Sequence, residues 1–234
     1  MPKPSIKPVS KTIPNRRTLL KAKPKPSLRH QILDAATTRF AEHGYGGCSM
    51  RDLAAELDVT PTSIYHHFKD KEALYVEVCN RRFAMAAEQL GQAFNQKASA
   101  EKQLLAFLES LVTLLEGDRV YFRLVQLQLL ERSIEDVRQL STMAFLPQYK
   151  SLQKLIRLGF PDLHPGRCAF NLYTLALGYA QFRSIRLAFP KDIEVGHGPR
   201  EIAQLIFESV LKRNSMPPRS RASKSAKPKA GSAP

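Results

Sequence analysis

Hydroxyl and imidazole side chains are concentrated in one short stretch of the sequence, between Thr60 and His67. Hydroxyl groups donate hydrogen bonds to phosphates and base edges, and an apolar ring such as that of Pro61 can contact a thymine methyl group. Arg51 precedes this stretch, and a guanidinium can form a bidentate pair with guanine. The chemistry of these side chains therefore favours a nucleic-acid partner.

Spacings typical of catalytic and metal sites are absent from the sequence. There is no G-x-S-x-G, H-E-x-x-H, phosphate-binding loop or dinucleotide-binding glycine pattern. His164 and Cys168 lie four positions apart, but Pro165-Gly166 interrupts any helix between them and no second pair of ligands follows. Cys79 is better explained as a buried helix cysteine than as a redox switch. We therefore predict no enzyme activity, no metal and no cofactor.

Two short helices must position the hydroxyl-rich stretch. The pattern predicts one helix from about Met50 to Leu57, with Ser49 as its N-cap in an acidic capping box. A second helix follows Thr60, its N-cap, with Pro61 at the first helical position, and ends near Phe68. Two short helices joined by a turn of about three or four residues are the unit that presents one helix to the major groove of DNA.

The predicted DNA contacts lie on the outward face of the second helix and at helix starts, where free N–H groups favour a phosphate. Leu53, Ile64 and Phe68 are expected to form the core that orients this face. The predicted set is Ser49, Arg51, Thr60, Pro61, Thr62, Ser63, Tyr65, His66, His67 and Lys71.

The stretch from Arg29 to Val78 resembles the tetracycline-repressor (TetR) family. The resemblance is carried by residues 32–36 (ILDAA), 40–45 (FAEHGY), 49–54 (SMRDLA) and 64–74 (IYHHFKDKEAL). It implies an all-α homodimer whose subunits have an N-terminal three-helix helix-turn-helix domain and a C-terminal helical domain that binds a small ligand and dimerises. Base-reading positions of the family are matched by Arg51, Pro61, Thr62 and Tyr65, and backbone-contacting positions by Ser49, Ser63, His66, His67 and Lys71.

The charge of the chain is concentrated at its two ends. The formal net charge is +15, yet residues 31–211 hold 20 basic residues against all 21 acids. Residues 1–30 carry nine Lys/Arg and no acid, and residues 212–234 carry seven and no acid. Because both ends are rich in Pro, Lys, Ser and Ala, we expect disordered arms that are attracted to polyanions. A purely solubilising role is the alternative.

The helix-turn-helix module itself is net negative. Residues 27–80 hold five Lys/Arg and eight acids, whereas useful DNA affinity needs several neutralised phosphates. We therefore expect the N-terminal arm to supply much of the non-specific attraction. The predicted divisions are a basic disordered arm (1–26), the helix-turn-helix DNA-binding domain (27–75), a ligand-binding and dimerisation domain (76–214) and a basic disordered tail (215–234).

The C-terminal half is predicted to form long helices at about 101–116, 119–131, 134–158, 167–188 and 199–213. Pro147 falls inside the third helix and should kink it. Apolar side chains cover most of the circumference of the fourth helix, which indicates a subunit interface; a central core helix in a monomer is the alternative. The resemblance implies a four-helix bundle between subunits, with predicted contacts at Ala176, Gly178, Ala180, Leu205, Ile206 and Val210.

A pocket between the middle helices is the expected place for an effector. No charged cluster is visible in these helices, which favours an apolar or amphipathic small molecule. The candidate lining residues, each of which is alternatively a core residue, are Phe122, Gln126, Met143, Tyr149 and Tyr173. No segment is apolar enough for a membrane partner, and isolated cysteines without a secretory segment indicate a reducing cytoplasm, with the protein on the nucleoid.

The predicted function is that of a dimeric transcriptional repressor that binds a near-palindromic operator in double-stranded DNA and is released by an effector. An effector-independent DNA-binding protein that organises the chromosome or acts in cell division is the alternative in the same fold. Genome-wide binding separates the two, because a repressor occupies few promoters and an organiser occupies many sites. An all-α enzyme or carrier is a third interpretation, which failure to retard any DNA at low salt would favour.

Overall fold

A computed structural model describes residues 26–94, 97–131, 145–190, 196 and 198–212. These residues contain ten α-helices, numbered here in chain order, and no β-strand. The predicted all-α fold is confirmed. The predicted arm at 1–26 (apart from Pro26), the tail at 215–234 and Met143 lie outside the described residues. Within these ranges, no helix is both long and apolar enough to cross a membrane.

Three helices form the N-terminal unit: α1 (Leu28–His43), α2 (Met50–Glu56) and α3 (Pro61–Tyr65). The Ser27 hydroxyl accepts a hydrogen bond from the His30 N–H at the start of α1. Gly44 ends α1 with φ of 73°, a conformation that glycine adopts without steric cost. Gly44 therefore marks the end of the first helix.

Helix α4 (Lys71–Gly91) connects this unit to the rest of the chain, and the Asp70 carboxylate caps its first turn. Two adjacent arginines on α4 form ion pairs with acids in different parts of the molecule. Arg81 pairs with Asp34 of α1 at 2.8 Å, and Arg82 pairs with Asp118 beyond the end of the next helix. Helix α4 is thus fixed to both halves of the molecule.

The C-terminal unit contains α5 (Ala100–Gly117), α6 (Arg119–Glu131), α7 (Leu146–Gly159), α8 (Pro165–Gln181), α9 (Arg183–Ala188) and α10 (Pro199–Phe207), followed by one π-helical turn (Glu208–Lys212). Helix α5 is central, because it packs against α4, α6, α7, α8 and α10. Its inward side chains, including Leu104, Phe107, Leu108 and Val112, are fully buried. Burial of this apolar surface stabilises the unit.

One predicted helix needs correction and another is described only in part. Pro147 is the second residue of α7, where its missing N–H costs nothing; residues 134–144 of that predicted helix lie outside the described residues, so the kink stays a prediction. The predicted helix 167–188 is divided at Phe182, which ends α8 and precedes α9. A break of one residue thus interrupts a helix that the sequence pattern predicts as continuous.

The predicted dimer contacts also need correction. Ala176, Ala180, Ile206 and Val210 are buried within the subunit's own core, so the chain itself covers them. Leu205 and Gly178 are half-buried, and a Cβ atom added at Gly178 would meet only open space. The error has a physical reason: α8 is apolar on two faces, and helical periodicity does not tell which face packs inside the subunit.

A charged pair lies inside the C-terminal unit, where the sequence indicated none. Arg186 of α9 is 4% exposed and pairs with Glu116 at the end of α5, and it also donates to the Gly196 carbonyl. The expectation of helices without internal charge is therefore wrong. Seventy positions separate the two partners, so no local pattern reveals the pair.

Candidate nucleic-acid interface

The turn between α2 and α3 is closed by the backbone. The Val59 N–H donates to the Ala54 carbonyl at 3.0 Å, and Asp58 adopts a positive φ of 54°. Such a left-handed residue reverses the chain in a short distance and is tolerated best by Gly, Asn and Asp. The two helices are therefore joined by the short turn that the sequence predicts.

Buried apolar side chains set the orientation of α3. Leu53, Ile64 and Phe68 are each at most 3% exposed. Thr60 caps α3 by accepting from the Ser63 N–H at 3.2 Å, and Pro61 is the first residue of the helix, as predicted. With one face of α3 fixed to the core, the opposite face must point to solvent.

The predicted DNA contacts lie on α3, at its N-cap and C-terminal end, and at the starts of α2 and α4, and we call this set of residues the α3 surface. Most of them are exposed, and Tyr65 is 52% exposed; Ser63 and Lys71 are half-buried. The Thr60 and Ser63 hydroxyls lie 2.9 Å apart and hydrogen-bond to each other. The exposed members are Ser49, Arg51, Thr60, Pro61, Thr62, Tyr65, His66 and His67.

The start of α2 has the predicted capping box. The Ser49 hydroxyl accepts from the Asp52 N–H at 3.1 Å, and the Asp52 carboxylate accepts from the Ser49 N–H at 3.2 Å. Hydrogen bonds from Ser49 hold the pKa of Asp52 below its usual value. Arg51, the next residue back, is exposed and has no ion-pair partner in the described part of the chain.

Several cations of this unit are already engaged within it. Arg29 pairs with Glu77 at 2.6 Å and lies over the Phe68 ring, and Arg39 pairs with Glu56. The Lys71 ammonium lies 4.2 Å from the centre of the Tyr45 ring. These contacts leave few cations free for phosphates.

A comparison with known families decides which unit this is. Residues 32–78 match the family model described as bacterial regulatory proteins of the tetR family. The match covers 47 of the 234 residues, so this segment is similar to regulatory proteins of that family. The matched segment begins in α1, contains the helix-turn-helix and ends in α4.

Similarity to individual proteins extends this result. The fatty acid metabolism regulator protein of Bacillus subtilis (strain 168) is 29% identical over 105 residues, which cover 45% of this chain and 54% of that protein. The chain thus matches about half the length of this relative. The transcriptional regulator FadR from Bacillus subtilis, solved in complex with stearoyl-CoA, has a TM-score of 0.63 at 19% identity and covers 78% of this chain and 97% of its own.

A further solved structure, AibR in complex with isovaleryl coenzyme A and operator DNA, has a TM-score of 0.62 at 19% identity, covering 78% of this chain and 97% of its own. At such identities the two structures show a shared fold. The shared fold has an N-terminal helix-turn-helix and a C-terminal helical unit.

The predicted effector residues of this protein are divided between two places. Tyr173 contacts Phe145 across the seam between α7 and α8, with ring centres 5.9 Å apart, and the Tyr149 hydroxyl donates to the Gly166 carbonyl in the same seam at 2.7 Å. Gln126 of α6 instead hydrogen-bonds to Gln181 at the end of α8. Phe122 is half-buried on α6.

Sequence reasoning missed a groove of about 510 Å³ at the outer end of this seam. It is lined by Tyr149, His164, Gly166, Arg167, Phe170 and Asn171. An available signal was the composition of α7, which carries three cations and no acid. Among the described residues, no group of His, Cys, Asp or Glu is arranged to hold a metal ion, and His164 instead caps α8 by accepting from the Arg167 N–H.

Proposed function

We propose that this protein is a dimeric transcriptional repressor that binds a near-palindromic operator through the α3 surface. One observation carries the proposal: a tetR-family helix-turn-helix whose recognition helix points its hydroxyl, proline and tyrosine side chains to solvent. Such side chains meet phosphates and base edges when a helix enters the major groove. The protein acts on the chromosome in the cytoplasm and catalyses no reaction.

The ten predicted DNA contacts have two roles in this proposal. Arg51, Pro61, Thr62 and Tyr65 read bases. Contacts to the DNA backbone come from Ser49, Thr60, Ser63, His66, His67 and Lys71. Arg51 has the strongest discriminating chemistry, because its free guanidinium can bind two acceptors of one guanine.

The domain division follows the same proposal. Residues 27–75 bind DNA, and residues 76–214 bind the effector and the second subunit. Helix α4 joins the two functions, because Arg81 binds α1 and Arg82 binds the corner before α6. An effector that prefers one arrangement of α4 would lower DNA affinity by linkage.

The dimer forms through the outer faces of α8 and α9. These faces expose large apolar side chains, including Leu175, Phe182, Ile185 and Phe189, of which Phe182 is 60% exposed. A contiguous exposed apolar patch marks an interaction surface. Gly178 lies on the outer side of α8 and permits close approach of the partner helix.

The effector is an acyl thioester of coenzyme A. A ligand of this class is named for both solved relatives, stearoyl-CoA for one and isovaleryl-CoA for the other. An acyl chain suits the aromatic cluster of Phe94, Phe107, Tyr173 and Phe145, in which each ring contacts the next. This assignment sharpens the amphipathic effector that the sequence predicts.

Selection of bound DNA from a random pool tests the DNA-binding role. The expected product is a two-fold symmetric site whose half-sites are separated by about one helical turn or a multiple of it. Arg51→Ala should weaken binding to that site by about 1–3 kcal/mol, whereas Lys102→Ala on the exposed start of α5 should leave it unchanged. Broad occupancy without an enriched motif would instead favour a chromosome-organising protein.

A further inference from the structure

The groove at the outer end of the α7–α8 seam lies in the most cationic, acid-poor part of the described body. Helix α7 carries Lys150, Lys154 and Arg157, and Arg167 follows in the first turn of α8. From residue 145 to residue 190 there is one acid, Asp162. The groove therefore lies in a region of positive charge, although residues 31–211 as a whole are close to neutral.

These cations differ from three arginines of α4 and α9 that are held in ion pairs. Arg82, Arg183 and Arg186 each have a carboxylate partner. Within the described part of the chain, no ion pair is found for Lys150, Lys154, Arg157 or Arg167, and all four are exposed. Unpaired cations clustered on one surface attract an anion from solution.

The groove walls also offer chemistry for a flat, polar ligand. Phe170 is 61% exposed at the groove, so its ring face is available for stacking. Asn171, one residue further on, presents an amide that can both donate and accept hydrogen bonds. Arg167, in the preceding turn, can bind a phosphate with two parallel N–H groups.

Aromatic side chains extend from the groove wall toward the interior of the domain. Tyr149 forms part of the wall, and four positions earlier in the chain lies Phe145, whose ring contacts Tyr173. Tyr173 in turn contacts Phe107 of α5, with ring centres 5.7 Å apart. A series of aromatic residues along the seam thus lies between the cations at the surface and the core.

We propose that this groove binds the phosphate-bearing nucleotide head of the effector, with Arg167 and Lys150 holding phosphate groups and Phe170 stacking on the base. The inference rests on the proposed acyl-thioester effector. An acyl chain gains free energy by leaving water, whereas a polyanionic head buried without partners would lose several kcal/mol. The ligand must therefore extend from the aromatic interior to a cationic surface, and the α7–α8 seam joins the two.

Calorimetric titration of the full-length protein with stearoyl-CoA, isovaleryl-CoA and the matching free acids tests the inference. Variants Arg167→Ala, Lys150→Ala and their combination change only exposed side chains, and Lys102→Ala is the matched control. The combined variant should bind both thioesters at least about tenfold more weakly, with a shallower dependence on salt, and should bind the free acids as the wild type does. Phe170→Ala should weaken the binding of free coenzyme A, which carries the nucleotide head without an acyl chain.

The outcomes separate the two proposals. Equal thioester affinities in the wild type and the combined variant would overturn the groove assignment and leave the proposed effector class intact. Wild-type protein that binds neither thioester would overturn the effector class, and the groove assignment with it. Retardation of operator DNA without effector should be the same for all these variants, because none of the changed residues lies on the α3 surface.

Discussion

The guanidinium of Arg186 pairs with the carboxylate of Glu116, which attaches α9 to the end of α5 inside the C-terminal unit. Arg186 is the one buried residue of α9, whereas Ile185 and Leu187 on either side are 53% and 45% exposed. The ion pair is thus the internal anchor of a helix whose other large side chains point outward. It positions the apolar face that we propose as part of the dimer interface.

Removing one partner of this pair should destabilise the subunit strongly. Glu116→Ala leaves the Arg186 charge buried and uncompensated, at an expected cost of about 3–5 kcal/mol in the free energy of unfolding. Replacing both partners by apolar residues, Arg186→Met with Glu116→Leu, should be nearly neutral. Urea unfolding followed by circular dichroism measures both. Glu77→Ala, which breaks the exposed Arg29–Glu77 pair, is the control and should cost at most about 1 kcal/mol.

The dimer should be sensitive to bulk at Gly178 while the subunit fold is not. Gly178→Leu places a side chain in open space on the outer side of α8 and removes about 1 kcal/mol of helix-propensity cost. We expect a folded monomer in sedimentation experiments. Ala176→Leu, two positions earlier on the buried side, should instead lower thermal stability through overpacking. A Gly178→Leu protein that dimerises with wild-type affinity would refute the proposed interface.

The helix-turn-helix was predictable because its determinants are local. The caps at Ser49 and Thr60 act on N–H groups three positions ahead, and Gly44 ends α1 through its own φ. Each of these signals can be read in a window of a few residues. The core residues Leu53 and Ile64 follow from the same windows, because the period of the helix assigns them to one face.

The C-terminal unit was less predictable because its determinants join distant residues. Arg186 reads as a solvated charge in an otherwise apolar segment, and only the approach of Glu116 seventy positions earlier makes it an anchor. The groove likewise arises where Tyr149 of α7 meets Arg167 of α8. Helical periodicity gives the faces of each helix but not the neighbour that each face meets.

The capping box should make the stability of α2 depend on pH. Because the pKa of Asp52 is lower in the folded state, its ionised form stabilises the fold. This contribution is fully present above the unfolded pKa of about 3.9 and is lost as the pH falls through the folded pKa. The wild type should therefore lose stability on acidification more steeply than Asp52→Asn. Ser49→Ala keeps the acid and its backbone N–H donor but removes the Ser49 hydroxyl, which also lowers the pKa of Asp52, and should flatten the pH dependence in part; a wild-type slope in both variants would contradict this role.

The N-terminal arm should carry much of the salt-dependent attraction to DNA. Within the folded unit Arg29 and Arg39 are neutralised by acids and Lys71 lies over the Tyr45 ring, which leaves Arg51, Lys69 and Lys71 as the cations without an ion pair in the described residues. Residues 1–25 hold eight further Lys/Arg and no acid. Since the logarithm of the binding constant falls with salt in proportion to the number of neutralised phosphates, deleting 1–25 should weaken binding and flatten the salt slope.

Replacing the eight cations by glutamine should reproduce the effect at unchanged length, and deleting the tail at 215–234 is the control for basic chain ends in general. If the slope of the deletion variant equals that of the full chain, the attraction must come from the folded unit itself, and Arg51 and Lys69 become the cations to change next.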